Sequence, residues 1–152
     1  MRTRSLLRPR VGAVLALVDP ALSGPVVAVH DFRVAARSLR AALRTLSRRA
    51  DAALVRRTER ALRTAIRSLA NVRDRDVGRS LILRRASGAS IEPGLKRRIL
   101  GLAESDRRVA LAYSASRWPA GLDRLLIELL RRDEPSLEAV DRRTRAEAWR
   151  QR

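Results

Sequence analysis

Apolar residues recur at alternating intervals of four and three positions between residues 26 and 49, in a stretch that contains neither Gly nor Pro. These residues are Phe32, Ala36, Leu39, Leu43 and Leu46. Because an α-helix completes a turn in about 3.6 residues, this spacing places all five side chains on one helix face. The sequence therefore predicts a long amphipathic helix whose apolar face needs other helices to cover it. No segment shows the sustained alternation that is typical of strands.

Residues that favour turns separate this helix from its neighbours. Asp19-Pro20 and Ser23-Gly24-Pro25 are expected to break the chain before it. Pro25 suits a first helical turn, because the N–H that it lacks has no partner there. Asp51 is a candidate N-cap for a second helix with an apolar face of its own. That face carries Leu54, Leu62, Ala65, Ile66 and Leu69.

Turn-forming and capping residues also divide the rest of the chain into predicted helices. A break is expected at residues 71–76, where Asp74 or Asp76 would cap a short third helix. The remaining predicted elements are a loop at 87–90 and helices at 93–117 and 122–132. The predicted fold class is therefore all-α, an up-and-down bundle of about four to five helices.

The chain of 152 residues suits one domain. We expect an N-terminal segment at 1–22 that forms a short helix, a helical bundle at 23–133 and a charged C-terminal tail at 134–152. The N-terminal segment also resembles a secretory signal, because basic residues precede an apolar run. A first helix packed on the bundle is the preferred interpretation, since Asp19-Pro20 interrupts that run. No stretch approaches the roughly 18 to 20 apolar residues of a membrane span.

Composition excludes several kinds of site. The chain has no Cys, so disulfides and thiol catalysis are excluded, and His30 is its only histidine, so a His-rich metal centre is excluded too. No Ser-His-Asp spacing or Gly-rich phosphate loop is present. Asp74 and Asp76 are better explained as helix caps and as an ion pair that orients Arg73 than as catalytic carboxylates. We therefore expect neither enzymatic activity nor a metal or other cofactor.

The net charge of +18 points to a polyanionic partner, because a compact protein this basic repels itself. Of the 34 basic residues only Lys96 is a lysine, and all the others are arginine. The planar guanidinium group forms two parallel hydrogen bonds with a phosphate, which an ammonium group cannot do. Phosphate groups are therefore the expected target.

Basic side chains of the long helix form a second stripe beside its apolar face. The stripe consists of His30, Arg33, Arg37, Arg40, Arg44 and Arg48. By helix geometry it fills a sector of roughly 80° over roughly 27 Å, and no acidic residue of this helix lies on that edge. Since like charges four residues apart destabilise a helix, so long a stripe indicates that an anion binds to it.

The second predicted helix carries a similar stripe. It consists of Arg56, Arg60, Arg63 and Arg67, with Arg73 following in the chain. If a short connection makes the two helices antiparallel, the two stripes border one groove. A groove walled by arginines suits a linear polyanion better than a compact metabolite. A generic solvated basic face remains the alternative, more so for the second helix than for the first.

Two segments together resemble a known family. Residues 29–40 read VHDFRVAARSLR and resemble the signature of the CHAD domain, the conserved-histidine α-helical domain. Residues 69–77 read LANVRDRDV and resemble its second landmark. The resemblance covers residues 20 to 132. It implies an all-helical fold of two similar bundles that binds inorganic polyphosphate, in intracellular proteins of which some associate with polyphosphate granules.

The resemblance implies that His30, Arg33, Arg37, Arg40 and Arg73 bind polyphosphate. The stripes add Arg44, Arg63 and Arg67 to the candidate binding residues. For His30, binding or orienting a phosphate is favoured over a structural role, and its protonation in acid would strengthen anion binding. Ser38 stands where the family usually has arginine, so one contact is missing.

The chain is long enough for about one of the family's two bundles, which leaves two interpretations. It is either a half-length member that forms a homodimer to restore the pair of bundles, or a remnant that binds weakly. The predicted function is non-catalytic polyphosphate binding in the cytoplasm. The alternative is non-specific binding of DNA or RNA, which the charge alone would support. Against it, only 3% of residues are aromatic, which leaves few side chains on which bases could stack.

Overall fold

The computed structural model describes residues 7–46, 52–88 and 91–133. These residues form helices and no strand, so the predicted all-α fold class is confirmed. The helices are α1 (Leu7–Ser23), α2 (Val26–Leu46), α3 (Ala52–Ser68), α4 (Ala70–Gly88), α5 (Pro93–Ser116) and α6 (Leu122–Asp133). Asp51, the predicted N-cap, and the tail from residue 134 lie outside the described residues. The division of the chain after residues 22 and 133 stays a prediction.

Four helices enclose the main core, because α1 packs on α2, α2 on α3, α3 on α6 and α6 on α1. The apolar face predicted for α2 lies at its centre, where Phe32, Leu39 and Leu43 are completely buried. The Phe32 ring lies 5.2 Å from the ring of Trp118, which precedes α6. These contacts fix α2 from one side and leave its opposite face to solvent.

Helix α1 runs through Pro20, so the break predicted at Asp19-Pro20 is wrong. Pro20 lies in the last turn, where it removes one backbone hydrogen bond at the end of a helix that tertiary packing already holds. Val11 and Val14 of α1 are completely buried. The chain turns instead at Gly24, where a Cβ atom would collide with the carbonyl oxygen of Pro20.

The break predicted at 71–76 is also wrong. Helix α4 begins at Ala70, and backbone hydrogen bonds from Leu69 to Ala65 and from Arg73 to Leu69 continue the helical ladder of α3 into it. Neither Asp74 nor Asp76 caps a helix. Asp76 is buried and accepts a hydrogen bond of 2.6 Å from Arg107 of α5. That tertiary contact explains why a segment with polar, break-like residues stays helical.

Helices α4 and α5 form an antiparallel hairpin. Its inner end joins the bundle, where Ser114 donates a 2.7 Å hydrogen bond to the carbonyl oxygen of Ser68. Val72 and Ala110 are the last residues on each side that belong to the main core, and no described residue between them does. Helix α4 continues to Gly88, past the start of the loop predicted at 87–90, and residues 89 and 90 lie outside the described residues. Helix α5 starts at Pro93 as predicted, with Glu92 as its N-cap.

Candidate functional site

Helices α2 and α3 lie side by side and run antiparallel. Arg33 of α2 donates a 3.4 Å hydrogen bond to the carbonyl oxygen of Ile66, and Arg40 lies 3.4 Å from Glu59. This register places Arg37 level with the turn of α3 that carries Arg63. The two basic stripes therefore lie beside each other, which is the helix arrangement that the predicted groove requires.

Arg33 lies at the centre of the N-terminal half of this surface and is half-buried. Burial lowers its pKa, and the positive charges of Arg37 and Arg73 lower it further, while the carboxylate of Asp74 acts in the opposite direction. Three guanidinium groups from α2 and α4 therefore lie within electrostatic reach of one another. Their mutual repulsion is a cost to the folded chain that a bound anion would remove.

We call Arg33, Arg37, Arg63, Arg67 and Arg73 the open patch. Arg37, Arg63 and Arg67 are exposed, and none of them forms an ion pair with a carboxylate of the described residues. Arg73 lies 3.3 Å from Asp74, which bears out the predicted ion pair. That pair is solvent-exposed and stabilises little, so Arg73 stays accessible to an anion. His30 is exposed near the start of α2.

The C-terminal half of the α2 stripe is not unopposed, and here the expectation of an uncompensated stripe is wrong. Glu59 of α3 lies 2.9 Å from Arg44 and 3.4 Å from Arg40, an arrangement that we call the Glu59 bridge. The hydrogen bond from Arg44 holds the pKa of Glu59 below its ordinary value of 4.5, although burial acts in the opposite direction. The acid belongs to the neighbouring helix, so the pattern of α2 alone could not reveal it.

A further arginine approaches the site from α1. Arg10 donates a 3.2 Å hydrogen bond from its Nε atom to the hydroxyl oxygen of Ser38. Position 38 is where the family resemblance implies an arginine, so α1 supplies a guanidinium group beside the position where one is missing. The two residues are 28 positions apart, and no periodic pattern in the sequence connects them.

The other arginines of the two predicted stripes lie outside the open patch. Arg56 and Arg60 are exposed on α3, and Arg48 lies outside the described residues.

Among the described residues no three His, Cys, Asp or Glu side chains come together as ligands for a metal ion. None of the described helices combines the length and the apolar character needed to cross a membrane.

A family model described as the CHAD domain matches residues 5–152, essentially the whole chain. This range includes α1 and the C-terminal tail, which the resemblance at residues 20 to 132 did not cover. No curated protein and no solved structure matches the chain significantly. CHAD domains are associated with polyphosphate binding and are generally binding domains rather than catalytic ones.

Proposed function

The chain belongs to the CHAD domain family, and from this premise we propose that it binds inorganic polyphosphate across α2, α3 and the start of α4 without catalysing a reaction. The observation that carries the proposal is the open patch, in which arginines of three successive helices face solvent beside one another. Each exposed guanidinium group can hold a phosphate through two parallel hydrogen bonds. A chain of phosphates can therefore be held at several points at once.

Charge crowding around Arg33 gives this patch its preference for a multivalent anion. A phosphate between Arg33, Arg37 and Arg73 would replace repulsion by three attractions, in a place where burial of Arg33 limits screening by water. A single phosphate relieves only part of that repulsion. A linked row of phosphates relieves it along both helices, so the affinity of the site rises with chain length.

The proposed site extends to Arg40 and Arg44 only when a phosphate competes successfully with the Glu59 carboxylate. Arg40 and Arg44 belong to the candidate residues, but the carboxylate of Glu59 competes with a phosphate for both of them. The open patch is therefore the primary binding surface, and the bridge is a second segment that a longer polyphosphate occupies at a cost. His30 adds a hydrogen-bonding side chain at the N-terminal end of α2.

Charge reversal within the open patch tests the proposal. Arg37→Glu combined with Arg63→Glu removes two exposed guanidinium groups, one from each helix, and should weaken polyphosphate binding by more than about tenfold. Because neither side chain packs in the core, the helical circular dichroism should not change. Arg97→Glu combined with Arg124→Glu makes the same change of net charge at exposed positions of α5 and α6, and serves as the control. Equal weakening by both pairs would show that net charge, rather than the patch, determines binding.

The competing function is non-specific nucleic-acid binding, which the net charge of +18 favours. Labelled polyphosphate bound to the protein should be challenged with duplex DNA, RNA and heparin at about 150 mM ionic strength, where the screening length is about 8 Å. The proposed function predicts that unlabelled polyphosphate displaces the label best. Displacement by DNA or RNA at equal phosphate concentration would overturn it.

We further propose that the protein works in the cytoplasm and associates with polyphosphate granules. A fluorescently tagged chain should coincide with a polyphosphate stain, and the Arg37→Glu/Arg63→Glu variant should lose that coincidence. Wild-type fluorescence that is independent of the stain would contradict this localisation.

A further inference from the structure

The outer part of the α4–α5 hairpin carries an apolar groove that none of the described residues covers. Ile82 of α4 and Ile99 and Leu102 of α5 line it, and Leu102 is 71% exposed. Gly78 and Ala103 lie at its middle, and the space above Gly78 is open. Small residues at this position let another helix approach closely.

Exposed apolar side chains follow α5 beyond the groove at the spacing of helix-packing positions. Leu95, Leu102 and Val109 are seven residues apart, and each is at least half exposed. A seven-residue repeat of this kind is typical of a helix face that packs lengthwise against another helix. Helices α1, α2, α3 and α6 cover only the inner end of the hairpin, so no part of the described chain meets this face.

The amount of exposed apolar surface suits a protein interface. The side chains concerned are Leu81, Ile82, Leu95, Leu102 and Val109. Their exposed fractions correspond to on the order of 500 Å², the larger part of the about 800 Å² that each partner buries in a standard interface. Two helices alone cannot enclose a core, whereas four can. A second helical hairpin would therefore complete the packing that this one lacks.

The distribution of charge along the groove favours an antiparallel second copy over a parallel one. Towards the bundle the lining contains Asp74 and Asp106 together with Arg75 and Arg79, and Asp106 lies 3.0 Å from Arg75, so opposite charges balance at that end. The groove near the tip is lined by the cations Arg85 and Lys96 with no carboxylate. An antiparallel copy of the same hairpin would set its cationic tip beside this charge-balanced end, and the same contact would form again by symmetry. A parallel copy would oppose the two cationic tips.

From these observations we propose that a second copy of this chain occupies the groove, so that two α4–α5 hairpins form an antiparallel four-helix bundle about a two-fold axis. Leu102 lies near the middle of the exposed stripe and therefore near that axis, facing Leu102 of the other copy. Leu95 of one copy then faces Val109 of the other. No residue of the open patch lines this groove, although Asp74, which pairs with Arg73, borders both surfaces, so the two sites can be tested separately.

Sedimentation of the full chain without polyphosphate tests the association. The wild type should sediment as a dimer of the 17.0 kDa chain. Leu102→Glu should sediment as a monomer, while Val27→Glu, which alters a 62% exposed valine of α2, should stay dimeric. Both variants should keep the helical circular dichroism of the wild type. A wild type that is monomeric at about 100 µM, or a Leu102→Glu variant that stays dimeric, would overturn the proposal.

Disulfide crosslinking tests the antiparallel direction. Because the chain has no native Cys, only the introduced cysteines can form a crosslink. A disulfide needs Cα atoms about 4.4–6.8 Å apart, and the two copies of residue 102 face each other near the proposed two-fold axis. Leu102→Cys should therefore form a covalent dimer under mild oxidation. Leu95→Cys should crosslink to Val109→Cys when the two variants are mixed, and not to itself. Self-crosslinking of Leu95→Cys would show parallel hairpins and refute the arrangement. Because no polyphosphate is present, failure here leaves the proposed function intact, and the converse also holds.

Discussion

Removal of the carboxylate of Glu59 should strengthen polyphosphate binding. In the folded chain this carboxylate holds Arg44 at 2.9 Å and Arg40 at 3.4 Å, and only 21% of its side chain is exposed. A phosphate that binds either arginine must therefore compete with this carboxylate. Glu59→Gln keeps the size of the side chain and an oxygen that can accept a hydrogen bond, but removes the charge that competes with the ligand.

The size of the effect follows from the two ion pairs. The Arg44 side of the bridge is solvent-exposed, and such a pair contributes about 0.2–1 kcal/mol, so removing the competing charge of Glu59 should make the free energy of polyphosphate binding about 1 kcal/mol more favourable. That corresponds to about fivefold tighter binding. The salt dependence should also become steeper, because more phosphates are neutralised on binding. The folded state should lose about 1 kcal/mol, since Arg40 is largely buried and loses its charged partner.

Fluorescence titration of labelled polyphosphate at several salt concentrations measures both effects, and chemical denaturation measures the stability. Glu104→Gln is the matched control, because Glu104 is half-buried on α5 and forms no ion pair with a described residue. If Glu59→Gln binds no more tightly than Glu104→Gln while its circular dichroism is native, then Arg40 and Arg44 take no part in binding. The reasoning on the Glu59 bridge would then be refuted.

The buried ion pair between α4 and α5 gives a stability prediction: Asp76→Asn should cost about 3–5 kcal/mol by chemical denaturation, because it leaves the buried charge of Arg107 without a carboxylate and with only the carbonyl oxygen of Gly24 as a hydrogen-bond acceptor, whereas exposed Asp74→Asn should cost less than about 1 kcal/mol. Phe32→Ala should cost about 3–5 kcal/mol through the cavity that it opens beside Trp118, measured by thermal unfolding. Because the folded-state pKa of Glu59 is depressed, its contribution is present above pH 4.5 and lost as the pH falls below it. Acid titration of Glu59→Gln should therefore show a smaller loss of stability than that of the wild type.

Local patterns were sufficient to predict the helices whose ends depend on local chemistry. The starts of α2, α5 and α6 follow from Pro25, Pro93 and the break before Leu122, and the structure places them there. The prediction failed at Pro20 and at residues 71–76, where packing keeps break-like residues helical. At the second of these places the cause is specific, because Asp76 pairs with Arg107 from a helix 31 positions away.

The candidate site likewise contains residues that the sequence predicted and residues that it could not predict. Periodicity alone placed Arg33 and Arg37 on one helix edge, and the structure keeps them beside each other. It did not find Glu59, whose role depends on the antiparallel register of α2 and α3. It did not find Arg10 either, because the contact with Ser38 depends on how α1 lies across α2. Residues that act through a neighbouring helix leave no periodic signal in the helix that they affect.

The separation of the outer hairpin from the main core has a consequence for amide hydrogen exchange. A segment that shares few buried contacts with the rest of a protein opens as its own cooperative unit. The amides of the outer parts of α4 and α5 should therefore exchange together, and faster than those of α2 and α3. Added polyphosphate should slow exchange in α2 and α3, whereas dilution should speed exchange in the hairpin, so one labelling experiment reports the two events independently.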